Sequence, residues 1–566
     1  MDGAMVLDGV GKRYGHGAWV LDGLALALPP GSVTLVVGSN GSGKSTLLRI
    51  LAGLSRATTG EVRGRPPTVA FAPERLAAQV RLTGASYLEH MGRMRGLAPG
   101  EVADRAGTLF GRLRLSPGPG MPVRSLSKGN RQKVVVAQAF LASVDLLVLD
   151  EPFTGLDPLA RATVWELIGE ARAGGSAVVL SAHLADDALR TDRALMLDSG
   201  RLHPIVVAAA DSSPRMRIQL AGTGDVTSLA AMPGVEVEAT GLGARVADGA
   251  RVADGAGRPR PPVGDAAGTV SLTVDGPLSD RTLARVLATG WSVRSVTPLL
   301  TAAAAGGSDH PDQPAHSLPQ AADTAVGSVD PIAPRRGGAV TSSIGPITGV
   351  ARYTLVDAVR AQRWIAPVVL FLAAVAIANS DAGPALTTYA DTLTVLLPVG
   401  IWLTWSVLNA EDPVQSDVSM VTVGNDLRYR LGKLAAALVI CAGLAVLAIA
   451  TPVAVGDAGA SAGSVAGVLL DGLVGHVLVA ALAVAVGAVT TRPVIGRLAE
   501  GFYVAITFTL AEIVIPGAPP VRQLLGAFDR DHPNHLAITL SLAGVETLVL
   551  SAILVSIALA IARRRS

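Results

Sequence analysis

From residue 364 onward the sequence is dominated by long apolar runs, and nothing else in it restricts the fold as much. A helix rises about 1.5 Å per residue, so roughly 20 apolar residues are needed to cross the hydrocarbon layer of a bilayer. Trp364–Asn379, Thr392–Leu408, Leu434–Val455, Val465–Val489, Gly501–Ile515 and Ala537–Ala562 approach that length. The first and fifth are short, so they extend past these limits or are partly re-entrant. An all-α transmembrane domain of six helices is expected over residues 346–566. Composition agrees once the chain is divided. Half of the 566 residues are hydrophobic and 16% are charged, against about 25% charged in an ordinary soluble domain. Residues 1–205 have no such runs, so the average mixes a part suited to water with a part suited to lipid.

The loops predict how these helices lie. Arg428, Arg430, Lys433, Arg492, Arg497, Arg563, Arg564 and Arg565 follow the second, fourth and sixth stretches, and only Arg522 and Arg530 follow the others. Lys and Arg concentrate in cytoplasmic loops. A multi-pass protein of the cytoplasmic membrane is expected, with both termini in the cytoplasm. Met1–Gly11 has no basic stretch followed by an apolar one, so no cleaved signal is expected. Ile347–Arg363 predicts an amphipathic helix leading into the membrane. Val350, Tyr353, Val356 and Val359 share one face, with Arg352, Arg360 and Arg363 available to the lipid surface.

Charges inside a span are costly, about 2.5–3.5 kcal/mol at the centre on insertion scales. Asp471, His476 and Glu546 therefore pair across helices or line a substrate path, whereas Asp391 and Glu512 lie near span ends and reach water. The single cysteine, Cys441, excludes a disulfide framework within one chain and reads as a small buried apolar residue. With 47 basic against 45 acidic residues there is no basic surplus, and nucleic acid is not an expected partner.

Residues 1–205 alternate short apolar runs with amphipathic stretches, the pattern of an α/β domain with a mostly parallel sheet. Val33–Val37, Leu146–Leu149 and Ala177–Leu180 read as buried strands. The first runs into Gly38, Ser39, Asn40, Gly41, Ser42, Gly43, Lys44, Ser45 and Thr46. This is a phosphate-binding loop of the P-loop NTPase kind. Backbone N–H groups curl around an anion, and the next helix aims its positive end at it. Lys44 reaches the β- and γ-phosphates of ATP, and the Ser45 hydroxyl is a ligand for Mg²⁺. Asp145–Pro152 is a second apolar strand that ends in two carboxylates. Asp150 can hold Mg²⁺ through water, and Glu151 can orient or deprotonate the attacking water.

Between these two elements lies Leu126–Lys133, LSKGNRQK. It resembles the signature motif of ATP-binding-cassette transporters, and the companion motifs occur in that family's order through residues 1–205. Tyr14 resembles the aromatic residue that stacks on adenine, Thr154–Asp157 (TGLD) the loop linking two nucleotide sites, and His183 the switch histidine on the γ-phosphate. The resemblance implies a dimer in which Ser127, Gly129 and Asp157 complete the partner's site in trans. Glu74 stands where the family usually has a Gln that helps bind Mg²⁺ and senses the membrane domain, and Asn130 stands where Gln is frequent. ATPase first and six spans after resembles the G-type exporters. Gly290–Leu299 resembles part of the small unit that follows the ATPases of bacterial drug and antibiotic exporters.

That unit, residues 206–300, reads as a small α+β accessory domain. Met216–Leu220, Val235–Ala239, Thr269–Val274 and Trp291–Val296 read as strands and Asp280–Ala288 as a helix. A tandem RVADGA, Arg245–Ala250 and Arg251–Ala256, forms an extended loop. Residues 301–345 have few large apolar residues and read as a flexible linker. Glu411–Lys433 carries Glu411, Asp412, Asp417, Asp426, Arg428, Arg430 and Lys433. It is a docking segment for the ATPase or a solvated loop that fixes topology. The resemblance implies an ATP-driven homodimeric exporter. Ala-, Leu- and Val-rich helices suit a hydrophobic or amphipathic substrate, drug-like, lipid-like or peptide-like. The alternative is a membrane ATPase that acts as a mechanical or sensory device and moves no solute.

Overall fold

The structure is a computed structural model of the whole chain. It describes residues 3–76, 80–182, 190–205, 215–222, 235–240, 268–275, 282, 286, 292–299, 345–380, 385–455, 465–492, 494–515, 520–528 and 533–565.

The N-terminal part is a two-sheet α/β unit. Strands β1 (Met5–Arg13), β2 (Trp19–Leu28) and β4 (Thr59–Arg63) form an antiparallel sheet in the order β2-β1-β4. The main sheet uses β3 (Val33–Val37), β5 (Val69–Ala72), β6 (Leu146–Leu149), β7 (Ala177–Ala182), β8 (Arg193–Asp198) and β9 (Arg201–Pro204), in the order β5-β6-β7-β3-β8-β9. All its pairings are parallel except β8 with β9. Every residue of β3, β5, β6 and β7 is buried. Strands covered on both faces read as continuous apolar runs, and this is why β3, β6 and β7 were visible in the sequence, whereas the four-residue β5 was not singled out. Helices α1 (Lys44–Leu51), α2 (Gly84–Met94), α3 (Pro99–Arg112), α4 (Lys128–Ala139) and α5 (Pro158–Ala173) complete the unit. Parallel pairing puts the chain exits of β3, β5, β6 and β7 along one edge. Ligands of open α/β sheets bind at such carboxyl ends.

In the accessory unit, Val235–Thr240, Gly268–Asp275, Arg215–Gly222 and Ser292–Leu299 form an antiparallel sheet in that order. The four expected strands are present, each within a few residues of its expected limits. Thr282 and Val286 are helical and buried, while the rest of Asp280–Ala288 falls outside the described residues. The RVADGA repeat and residues 301–344 also lie outside them.

All six expected membrane stretches are helical: Ile365–Ala378, Ala385–Leu408, Asp426–Val455, Val465–Val489, Leu498–Val514 and Pro533–Arg565. Among the described residues four helices are long and apolar enough to cross a membrane, those within Ala385–Leu408, Asp426–Pro452, Val465–Val489 and Leu540–Arg563. Gly345–Ala361 and Ile365–Ala378 meet at a bend of 82° and together give a fifth candidate. The 14 residues of Ile365–Ala378 and the 17 of Leu498–Val514 rise only about 21 and 26 Å, short of a hydrocarbon core of about 30 Å.

The amphipathic helix is Gly345–Ala361, and its partner differs from the lipid surface expected. Val350, Tyr353 and Ala358 are buried, whereas Val359 is 59% exposed. The Tyr353 ring meets the edge of the His90 ring on α2, centroids 5.6 Å apart. The Arg81 and Arg360 guanidinium groups each donate to the other's backbone carbonyl, at 2.6 and 3.3 Å, and Arg352 lies 3.9 Å from Glu89. The face read as facing lipid is thus a seam against the ATPase.

Three of the ionisable groups singled out in the bundle, His476, Glu512 and Glu546, are hydrogen-bonded within it. His476 is fully buried, with Nε2 3.0 Å from the Thr392 hydroxyl and Nδ1 2.7 Å from the Gly472 carbonyl. Glu512 is buried rather than in water, and accepts from the Val521 N–H at 3.2 Å. Glu546 accepts from Gln523 at 3.2 Å. Cys441 is buried and free.

Candidate functional site

The loop between β3 and α1 is shaped by its glycines. Gly43 has φ +106° and caps α1 from the left-handed region, and a Cβ on Gly38 would stand 2.5 Å from the Leu197 carbonyl oxygen. Lys44 is buried and folds back over the loop, donating to the carbonyls of Gly38 at 2.7 Å and Ser39 at 3.1 Å. Its Nζ lies 4.0 Å from Glu151 Oε1. The Ser42 hydroxyl is buried without a hydrogen-bond partner. Buried polar groups are nearly always paired, so an orphan in this cradle marks where an anion's oxygen fits.

Asp150 and Glu151 leave β6 beside the cradle, both buried. One hydroxyl organises them. Ser181, at the end of β7, donates to Asp150 Oδ1 at 2.7 Å and accepts from the Glu151 N–H at 2.9 Å. Gln132 of α4 donates to the Glu151 carbonyl at 3.3 Å. Glu151 itself has φ +52°, a region costly for a residue with a side chain. Burial pushes the Asp150 carboxyl above its usual range. The Glu74 charge adds to this, while hydrogen bonds from Ser181 and Ser45 and the Lys44 charge oppose it. Ser45, Asp150 and Glu74 therefore bring oxygen ligands and surplus negative charge to one place. Mg²⁺ is commonly held by one or two carboxylates, waters and substrate phosphates, and this donor set fits it. Glu74 follows β5 and also pairs with Arg75 at 2.9 Å.

The LSKGNRQK stretch meets the Glu151 backbone through Gln132, and Ser127 and Gly129 lie toward its other end. Ser127 is exposed and caps α4 by accepting from the Asn130 N–H at 3.3 Å. Gly129 lies against the Gly155 carbonyl so closely that a Cβ would clash. Among the described residues, no hydrogen bond or ion pair joins Ser127 or Gly129 to residues 38–46. Asp157 caps α5 through the Ala160 N–H at 2.8 Å and pairs with Lys133 at 3.0 Å; these hold its carboxyl below the usual range. Tyr14 is 56% exposed, with Lys12 Nζ 5.1 Å from its ring centre. His183 lies outside the described residues. Sequence reasoning missed Ser181, one residue past the expected strand Ala177–Leu180, and Gln132, inside LSKGNRQK.

The cradle is joined to the helix bundle. Helix Pro413–Val423, inside the expected docking segment, is capped by Asp412, which accepts from the Val414 N–H at 2.9 Å, and is closed by Gly424 at φ +70°. Val418, Val421 and Val423 are buried in the same apolar cluster as the ATPase core. Arg49, on the helix that starts at Lys44, donates to Asp417. Burial raises the Asp417 carboxyl, and Arg49 opposes that rise. Tyr87 of α2 is fully buried and donates to Gln415 Oε1 at 3.0 Å. From Gln415 a polar chain runs through Ser419 to Glu411, then to Lys433 at 3.0 Å. Arg430 pairs with Asp426 of its own helix at 2.7 Å.

Comparison with known proteins gives one consistent result. The family described as ABC transporter matches residues 21–154. The daunorubicin resistance ATP-binding protein DrrA3 of Streptomyces coeruleorubidus is 35% identical over 213 residues, covering 36% of this chain and 67% of that protein. The Nod factor export ATP-binding protein I of Ralstonia nicotianae is 33% identical over 207 residues, covering 34% of this chain and 64% of that protein. A solved structure described as the ATP binding subunit of an ABC transporter is 29% identical, covers 35% of this chain and 87% of its own, and has a TM-score of 0.33. The chain thus spans about two thirds of the length of these two relatives.

Proposed function

The chain belongs to the ABC transporter family and is an ATPase, and on that premise we propose that it exports a hydrophobic or amphipathic compound across the cytoplasmic membrane. The observation that carries this reading is the Arg49–Asp417 pair. It ties the helix that begins at the phosphate-binding lysine to the helix that docks the membrane bundle. Movement of the cradle on ATP binding therefore reaches the bundle directly.

At the nucleotide, Lys44 neutralises the β- and γ-phosphates. Ser45, Asp150 and Glu74 would hold Mg²⁺, which would supply charge neutralisation on the phosphates. Glu151 takes a proton from the attacking water as its oxygen bonds the γ-phosphorus, and the bond to ADP breaks. Tyr14 offers an exposed ring to adenine. Ser127, Gly129 and Asp157 complete the site of a second copy of the chain, because Ser127 is exposed away from its own cradle. ATP lies in the cytosol, so the ATPase and both termini are cytoplasmic. The names of the relatives, for daunorubicin resistance and Nod factor export, support an amphipathic cargo.

The test is ATP hydrolysis by the protein in nanodiscs against a panel of compounds. Daunorubicin-like and lipid-like amphiphiles should change the rate, and hydrophilic sugars should not. A rate indifferent to every amphiphile would favour a mechanical or sensory device.

A further inference from the structure

At the end of the helix bundle nearest the ATPase lies a cavity of about 540 Å³. That is within the usual range for small-molecule sites, about 300–1,000 Å³. Leu408, Leu434, Ala488 and Leu559 form apolar wall, each from a different helix. Arg363, Arg430, Arg492 and Lys433 also line it, against one carboxylate, Glu411.

The polar groups are unevenly matched. Both Glu411 oxygens are occupied. Oε1 accepts from Ser419 at 2.7 Å, and Oε2 accepts from Tyr429 and from Lys433 at 3.0 Å. This cancels Lys433, and Asp426 cancels Arg430. Arg363 donates to the Asn409 carbonyl at 3.3 Å and shares the nearby Asp357 charge with Lys433 and Arg81, and among the described residues neither Arg363 nor Arg492 has an ion pair. Trp405, also on the lining, has a buried indole N–H without a partner. What remains without an ion pair or a partner is two guanidinium groups and an N–H, all donors, above an apolar wall.

We propose that this cavity binds an anionic glycerophospholipid of the cytoplasmic leaflet. Phosphate oxygens accept from Arg363, Arg492 and Trp405, and acyl chain lies along Leu408, Leu434 and Leu559. Depth supports the lipid as the source of the phosphate. The lining sits at the ATPase-side ends of the spans, where anionic headgroups concentrate and basic side chains are drawn to them. Ser416 and Met420 of the docking helix share the lining, so an occupied cavity braces that helix. The proposal rests on the membrane placement given above.

Native mass spectrometry of the full-length protein, taken from nanodiscs of mixed phosphatidylglycerol and phosphatidylcholine, tests it. The wild type should retain phosphatidylglycerol in preference to phosphatidylcholine. The Arg363→Gln, Arg492→Gln double variant should lose that preference by roughly thirtyfold, the scale of two basic side chains at a membrane surface. Trp405→Phe should lose part of it, and this decides the matter if the double variant no longer binds ATP and so is misfolded. Equal retention of both lipids, unchanged retention in the variants, or displacement of the lipid by inorganic phosphate would overturn the proposal. Failure to enter nanodiscs would overturn the membrane placement and this site with it.

Discussion

Glu151 shows how much of the chemistry depends on single side chains. Its backbone is held at φ +52°, a strain of about 1–3 kcal/mol, by Ser181 on one side and Gln132 on the other. Glu151→Gln keeps the shape and removes the base. ATP should still bind, and turnover should fall at least about a hundredfold, the lower scale of a general-base contribution. Single-turnover hydrolysis at a near-normal rate would remove Glu151 from that role. His90 gives a pH prediction. Burial lowers its pKa to about 4; Arg352 and Arg360 add to this and Glu89 opposes it. Unfolded histidine titrates near 6.5. Between these values the unfolded chain binds a proton that the folded chain does not, so stability held above pH 6.5 is lost as pH falls toward 4. The limiting slope is about 1.4 kcal/mol per pH unit. Phe cannot titrate, so melting of His90→Phe should depend less on pH across this window, and a curve parallel to the wild type would show that His90 does not set it. These residues also mark the limit of legibility. The loop glycines, Lys44 and the carboxylates follow a fixed spacing and could be found. Ser181 could not, since its role depends on two neighbouring strands aligning.

Between elements, the decisive contacts join residues far apart in the chain. From its charges the sequence allowed Glu411–Lys433 to be a docking segment or a solvated loop. The structure divides those charges differently. Asp426 and Arg430 satisfy each other, Glu411 and Lys433 close a buried pair, and Asp417 alone of these reaches across to Arg49. Most of the joint is apolar, through Val418 and Val421, with Tyr87 and Gln415 bonded inside it. No local pattern reveals a partner more than 300 positions away, such as Arg49 for Asp417. The same gap explains the helix Gly345–Ala361. Its apolar face was legible at helical spacing, but spacing does not say whether that face meets lipid or protein. Tyr87→Phe leaves Gln415 Oε1 unsatisfied, a cost of about 1–3 kcal/mol for a buried group, and Asp417→Asn breaks the ion pair. Each should lower substrate-stimulated hydrolysis severalfold while basal hydrolysis stays near normal. Equal loss of both rates would make the joint structural only.

For the whole molecule, one chain holds one phosphate loop and one LSKGNRQK stretch, and Ser127 is turned to solvent. The proposed function has these two parts meet between two copies of the chain. Mixing Lys44→Ala chains with Ser127→Ala chains should restore one composite site per dimer, and full activity from a monomer in nanodiscs would contradict the arrangement. The fold class of each part was legible, because buried strands and membrane helices each impose a composition. The number of crossings was not, because Ile365–Ala378 and Leu498–Val514 fall short and length alone cannot place them. The central claim is that ATP hydrolysis moves an amphipathic compound away from the ATPase side. The most direct measurement uses sealed proteoliposomes with the ATPase outward, fluorescent amphiphiles outside, and hydrolysis and lumenal accumulation recorded together. The account predicts ATP-dependent accumulation that is abolished by Glu151→Gln. Hydrolysis without movement of any probe, or ATP-driven movement out of the lumen, would contradict it.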